Sequence, residues 1–178
     1  QNSADSPTSM EDRKTKARLL ASQPQRQMRL QAITILNELE EQLGLSTAEQ
    51  FLRLRLYVET DNWNYARDAI RAIVATNGNV AEILDYCIQA MIDYGETGLV
   101  VEQWLQDLER LRPGKYRNSE LRAQLLARQK KLDEAIEVLR NVITASAGQK
   151  DESPPTDELV VATLINLSHK LELSGQTI

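Results

Sequence analysis

The chain has 178 residues, 42% of them hydrophobic and 26% charged, with a net charge of −5, a mix that suits one or two domains of a soluble fold and excludes a fibrous one. No run of about 18 apolar residues argues for a membrane span, and no basic-then-apolar leader marks a signal peptide, although a chain opening at Gln1 leaves the compartment undetermined. Cys87 is the sole cysteine, so no internal disulfide forms, and the negative balance speaks weakly against a general nucleic-acid binder.

In chain order, residues 1–9 (QNSADSPTS) are small and polar and read as a disordered lead-in. Residues 10–178 read as one helical repeat domain. Met10 to Ser22 suggests a short, mostly charged helix. Pro24 breaks it and opens the next helix, which runs through Met28, Ala32, Ile35, Leu36, Leu39 and Leu43 to Gly44. Ser46 with Glu49 matches a capping box, and a helix to about Thr60 follows, with Phe51, Leu52, Leu54, Leu56, Tyr57 and Val58 around much of its circumference. After the Asp61-Asn62 turn, Ala66, Ile70, Ile73 and Val74 mark one face of another helix. Asn77-Gly78 stops it, both residues tolerating the left-handed conformation that closes a helix.

The next pair runs from about Val80 to Tyr94 and from about Leu99 to Leu111, split by Gly95 to Gly98 and closed by Pro113-Gly114. A third pair spans Ser119 to Gln129 and Leu132 to Ala145, with Asp133 and Glu134 suited to the start of the second helix. Residues 147–156 (AGQKDESPPT) read as an exposed loop. A last helix from Asp157 to Ser174 carries Leu159, Val160, Leu164, Ile165, Leu167 and Leu171.

Superimposed on these elements is a repeat. Ala32, Ala66, Val101 and Ala135 lie 34, 35 and 34 residues apart. Four residues after each come Leu36, Ile70, Leu105 and Leu139; three further on come Leu39, Ile73, Leu108 and Val142. All twelve are small or aliphatic, and three of the four segments then meet a breaker in Gly44, Gly78 or Pro113. The helix pairs therefore span about 10–44, 46–78, 79–113 and 116–147, with a half repeat at 157–175. A small residue at Ala66 or Ala135 lets two helices approach to about 8–9 Å, and no single pair buries both of its faces.

With Tyr57 late in a first helix, Ala66 opening a second, and Leu126 and Ala135 in the same roles around KKLDEAIEVL, the chain resembles the tetratricopeptide repeat family over about residues 26–175. Ile70, Leu105 and Leu139 match the bulky residue of the family's second helix, while its Trp and Leu-Gly pair are not evident. The resemblance implies an all-α fold, a right-handed solenoid of antiparallel helix pairs whose first helices line a concave face that grips a peptide. Projected onto this chain, that face carries Phe51, Arg55 and Glu59, then Tyr86, Ala90 and Tyr94, then Arg117, Gln124 and Arg128, then Ile165 and His169. The family's carboxylate clamp uses Asn and Lys, and Arg55, Ala90 and Gln124 stand where that Asn is sought.

Each of these residues has a plainer role available. Aromatics at helical spacing are more often core than ligand contacts, by roughly two to one for Phe51, Tyr86 and Tyr94. Trp63 and Trp104 read as packing residues. His169 has no His or Cys neighbour with which to hold a metal, and Cys87 reads as a small buried hydrophobe. Between Arg110 and Lys131 the charge reverses, eight cations (Arg110, Arg112, Lys115, Arg117, Arg122, Arg128, Lys130 and Lys131) facing only Glu120. A solvated face accounts for this slightly better than an anion-recognising patch.

The sequence thus points to a non-catalytic scaffold, part of a larger protein, that binds a protein or peptide, an acidic one if the basic run contributes. It predicts no cofactor or metal and no small-molecule substrate, and nucleic acid is disfavoured for want of aromatic interleaving beyond Tyr116. Self-association through an uncapped C-terminal helix is a further expectation. The alternative is a helical accessory or regulatory domain of an enzyme or of a nucleic-acid-associated complex. Against catalysis stand one His, one Cys and the lack of a phosphate-cradling loop or a converging carboxylate pair.

Overall fold

The computed structural model describes the backbone of residues 7–146 and the side chains of residues 10–141. Among the described residues there are eight α-helices and no strand: α1 (Pro7–Ala21), α2 (Arg26–Leu43), α3 (Thr47–Glu59), α4 (Trp63–Asn77), α5 (Ala81–Asp93), α6 (Leu99–Leu111), α7 (Tyr116–Arg128) and α8 (Leu132–Ser146). The fold is all-α. The chain divides into two compact units at Gly78, which is where the second helix pair ends. In the first unit α1 packs on α2, α2 on α3 and α3 on α4; in the second, α5 packs on α6, and α7 on α5, α6 and α8.

The 34- and 35-residue spacing is a burial code. Eleven of its twelve positions have described side chains, and all eleven are at most 2% exposed, from Ala32, Leu36 and Leu39 through Ala66, Ile70 and Ile73, Val101, Leu105 and Leu108, to Ala135 and Leu139. Each large aliphatic removed from water in this way contributes about 1.5–3 kcal/mol. Around Ala135 and Leu139 the cluster is completed by Ala123 and Ala127 of α7, with Tyr116, Leu126 and Leu132 packed at its edge. Small side chains on both helices are what let α7 and α8 close on each other. Tyr57 is buried with its hydroxyl donating to Asn37 Oδ1 at 2.9 Å, and its ring stacks on Tyr65 with centroids 5.5 Å apart.

Three of the pairs close with the same backbone turn. Asn62 N–H donates to Tyr57 O and Asp61 N–H to Val58 O; Glu96 donates to Met91 and Gly95 to Ile92; Lys131 donates to Leu126 and Lys130 to Ala127. These paired long and short bonds form the Schellman motif, which satisfies the carbonyls that a helix end leaves open and turns the chain back. The motif needs a left-handed residue, and Asp61 (φ 61°), Gly95 (φ 81°) and Lys130 (φ 65°) supply it at intervals of one repeat. Turn chemistry read from residue type places the turns at Asp61-Asn62 and Gly95 and misses the one at Lys130.

Some expectations need correction. Pro7 to Ser9, assigned to the disordered lead-in 1–9, form the first turn of α1, a position where proline's missing N–H costs nothing. Helix α7 begins at Tyr116 rather than Ser119, because Arg117 and Asn118 in its first turn find polar partners on neighbouring elements. Gly78 is not left-handed, with φ −65°; its need is for space, since a Cβ there would stand 2.7 Å from Val74 O. Residues 1–6, the loop 147–156, the half repeat 157–175 with Ile165 and His169, and the uncapped face proposed for self-association lie outside the described residues, as does the side chain of Val142.

The capping box at α3 forms as the sequence requires: Ser46 N–H donates to Glu49 Oε2 at 3.0 Å and Glu49 N–H to Ser46 Oγ at 3.4 Å. Glu49 is 3% exposed and also receives Lys14 at 3.3 Å and Arg18 at 3.4 Å from α1. Burial by itself raises its pKa, but the Ser46 bonds and the Lys14 charge outweigh it and hold the carboxyl below its ordinary value. A depressed folded pKa means that this stabilisation is complete above the unfolded carboxylate value and is lost as pH falls through the lower, folded one. Glu49→Gln should therefore cost about 1–2 kcal/mol at pH 7 in urea melts, with the gap to wild type closing at acid pH. A gap that persists below the carboxylate range would sink this assignment.

The turns generate a second test. Lys130 carries left-handed strain that glycine lacks, so Lys130→Gly should leave stability equal or raise it by up to about 1 kcal/mol. Gly95→Ala should lower it by about 1 kcal/mol. If both changes move thermal stability in the same direction, the two residues do not share a conformation.

Candidate functional site

Within the second unit, α5 and α7 lie side by side and run in the same direction, because their contacts advance together: Asp85 meets Arg117, Gln89 meets Gln124, the Asp93 carbonyl meets Arg128, and just past α5 the Thr97 carbonyl meets Gln129. Side chains one repeat apart in sequence are thus neighbours in space. These are the two first helices of successive pairs, the elements that the tetratricopeptide resemblance would place on a binding face.

The seam between them is a closed polar ring. Arg117 Nη2 donates to Gln89 Oε1 at 2.9 Å, Gln89 Nε2 to Gln124 Oε1 at 2.8 Å, Gln124 Nε2 to Glu120 Oε1 at 3.3 Å, and Arg117 Nη1 to Glu120 Oε2 at 2.8 Å. Arg117 Nε adds a bond to Asp85 Oδ1 at 3.1 Å. On the far side of Asp85, Arg112 closes an ion pair and donates from Nε to Asn118 Oδ1 at 3.2 Å. Asn118, itself buried, donates at 2.8 Å to both Glu109 Oε2 and Arg112 O. Burial alone would lower the Arg117 pKa, but its bonds and proximity to Glu120 and Asp85 raise it instead.

This geometry spends much of the basic run internally. Arg110 pairs with Asp107 at 3.0 Å, Arg112 and Arg117 with Asp85, Arg117 with Glu120 and Lys131 with Glu134 at 3.9 Å. Counted along the chain, the run faces only Glu120; in space, carboxylates from α5, α6 and α8 answer it. Arg122 and Lys130 are exposed.

The other projected residues fall as follows. Gln124 is 7% exposed and committed to the ring. Arg128 is partly exposed and reaches only the Asp93 carbonyl, at 3.4 Å. Tyr86 and Tyr94 are half-buried on α5 and at its C-cap. Phe51 is half-buried and Arg55 exposed on α3 of the first unit, where Arg55 pairs with Glu59 at 3.4 Å. Cys87 is fully buried, its thiol pushed up to about 12, and it is inert as a nucleophile. Sequence reasoning missed Asp85, Gln89, Asp93 and Asn118. The signal was there, since Gln89 and Gln124, like Asp93 and Arg128, are one repeat of 35 residues apart.

Among the described residues no group of three or more His, Cys, Asp or Glu is placed to hold a metal ion, and no helix is long and apolar enough to cross a membrane. No protein-family model matches the chain, and no curated protein sequence does.

If the ring closes as described, Gln89→Ala and Gln124→Ala should be non-additive, with a coupling of at least about 0.5 kcal/mol in a double-mutant cycle by urea denaturation. Arg117→Leu should cost about 1–2 kcal/mol, a value tempered by its partial exposure. Simple additivity of the two glutamine changes would rule out the amide contact.

Proposed function

We propose that this chain is a non-catalytic scaffold of the tetratricopeptide type, whose helix pairs stack as a right-handed solenoid and hold a segment of another protein along the first helices. The observation that carries this reading is the in-register contact of α5 and α7, one repeat apart and parallel. Such an arrangement turns a linear repeat into a continuous face on which an extended or helical segment meets several helices at once.

On that face the ring has a supporting role. A guanidinium and two amides bonded to one another hold α5 against α7, and the recognition chemistry falls to neighbouring side chains outside the ring. Those are Tyr86 and Tyr94, which offer apolar surface with a polar edge, and Arg128, whose planar guanidinium suits a carboxylate. The segment that fits is one with apolar anchors and an acidic residue. Exposed charge contacts contribute at most about 1 kcal/mol each, so the aromatics dominate affinity and the arginine tunes it in a salt-sensitive way.

The test begins with cross-linking and affinity capture on the full chain, followed by titration calorimetry with the captured protein. Tyr94→Ala/Arg128→Ser should weaken binding by about tenfold or more, and high salt should weaken wild type more than the double variant. Arg71→Ser, an exposed cation on α4, should leave affinity unchanged. Equal affinity for all three proteins would remove this face from the binding site.

A further inference from the structure

Helix α1 differs from the other helices in how it is attached. Among its described side chains, Met10 to Ala21, one is fully buried, Ala17, while Leu19 is 63% exposed and Met10, Leu20 and Ala21 are half-buried. By contrast α5 buries seven side chains. Beside its narrow apolar stripe α1 carries a row of cations reaching across to acidic and amide partners. Arg13 bonds Glu38 at 2.5 Å and Gln42 at 2.8 Å on α2, and Lys14 and Arg18 converge on Glu49 of α3. A helix of this length whose apolar face is only Met10, Ala17, Leu20 and Ala21 is marginal by itself, so its order depends on these charges together with the packing around Ala17.

We propose that α1 is a charge-latched strap that opens as a unit while α2 to α4 stay folded, with Glu49 as the latch. Glu49 is anchored on its own helix by the Ser46 capping box, so the receiving carboxylate remains in place whether or not α1 is docked. Of the cations that meet it, the Arg18 side chain is 56% exposed and that of Lys14 is half-buried, which leaves the latch open to competition from dissolved ions. Raising salt from about 0.01 M to about 1 M shortens the Debye length from about 30 Å to about 3 Å and weakens the latch without touching the aliphatic contacts between α3 and α4. The opening is therefore local and salt-controlled, drawn from the low-stability end of the molecule.

Hydrogen–deuterium exchange read by mass spectrometry on the full chain tests this directly. In wild type the amides of α1 should exchange about tenfold faster at 1 M than at 0.01 M sodium chloride, while the buried amides of α3 and α4 keep their protection. In Lys14→Ser/Arg18→Ser the α1 amides should exchange fast at both concentrations, and the retained protection of α3 and α4 reports that the variant is folded. Salt-independent exchange of α1 in wild type, or acceleration of α3 and α4 in step with α1, would overturn the proposal.

Discussion

Close approach of helix backbones at one small or β-branched residue per second helix is the constraint on which the rest of the packing depends. Ala32, Ala66, Val101 and Ala135 are at most 2% exposed, and each is followed at fixed distance by aliphatics that fill the space the approach creates. A larger side chain at the first position separates the helices and strands the others above their holes, because cores are packed to crystal-like density and do not absorb extra volume cheaply. The same constraint explains why the Schellman turn recurs. A first helix can reach the small residue of its partner only if the chain reverses within two or three residues, and the left-handed residue at Asp61, Gly95 and Lys130 makes that reversal.

Polar groups follow the apolar frame rather than set it. Once α5 and α7 lie parallel, positions one repeat apart face each other, and whatever occupies them must be mutually satisfied. Gln89 with Gln124, and Arg117 with Asp85 and Glu120, meet that requirement with a closed ring. The outcome is a basic stretch of sequence in which Arg112 and Arg117 are consumed by carboxylates of the seam, while Arg122 and Lys130 stay exposed.

The two units hold α1 and α7 with different chemistry. In the second, α7 is held by apolar contact with α8 and by the polar seam with α5. In the first, α1 is held by ion pairs to Glu38 and Glu49 around a single buried alanine. Attachment by charge is weaker per contact and responds to ionic strength, whereas attachment by aliphatic burial does not.

From the sequence alone, helix positions and inward faces were legible, because burial along a helix imposes a 3.6-residue period and stacked pairs impose a second period of 34 or 35 residues. The helix read at about Leu99 to Leu111 spans those residues, and the Ser46–Glu49 box was legible because its partners are three residues apart. Contacts between elements were a different matter. That Asp85 would neutralise Arg112 and Arg117, or that Gln124 would be buried against Gln89 instead of open to a ligand, depends on the offset between α5 and α7, to which local periodicity is blind. Nor did residue type reveal that Lys130 adopts the left-handed conformation, since tertiary packing of the pair imposes it on a side chain that does not favour it. Apolar spacing decided which surfaces meet; only the folded chain decided which charges those meetings consume.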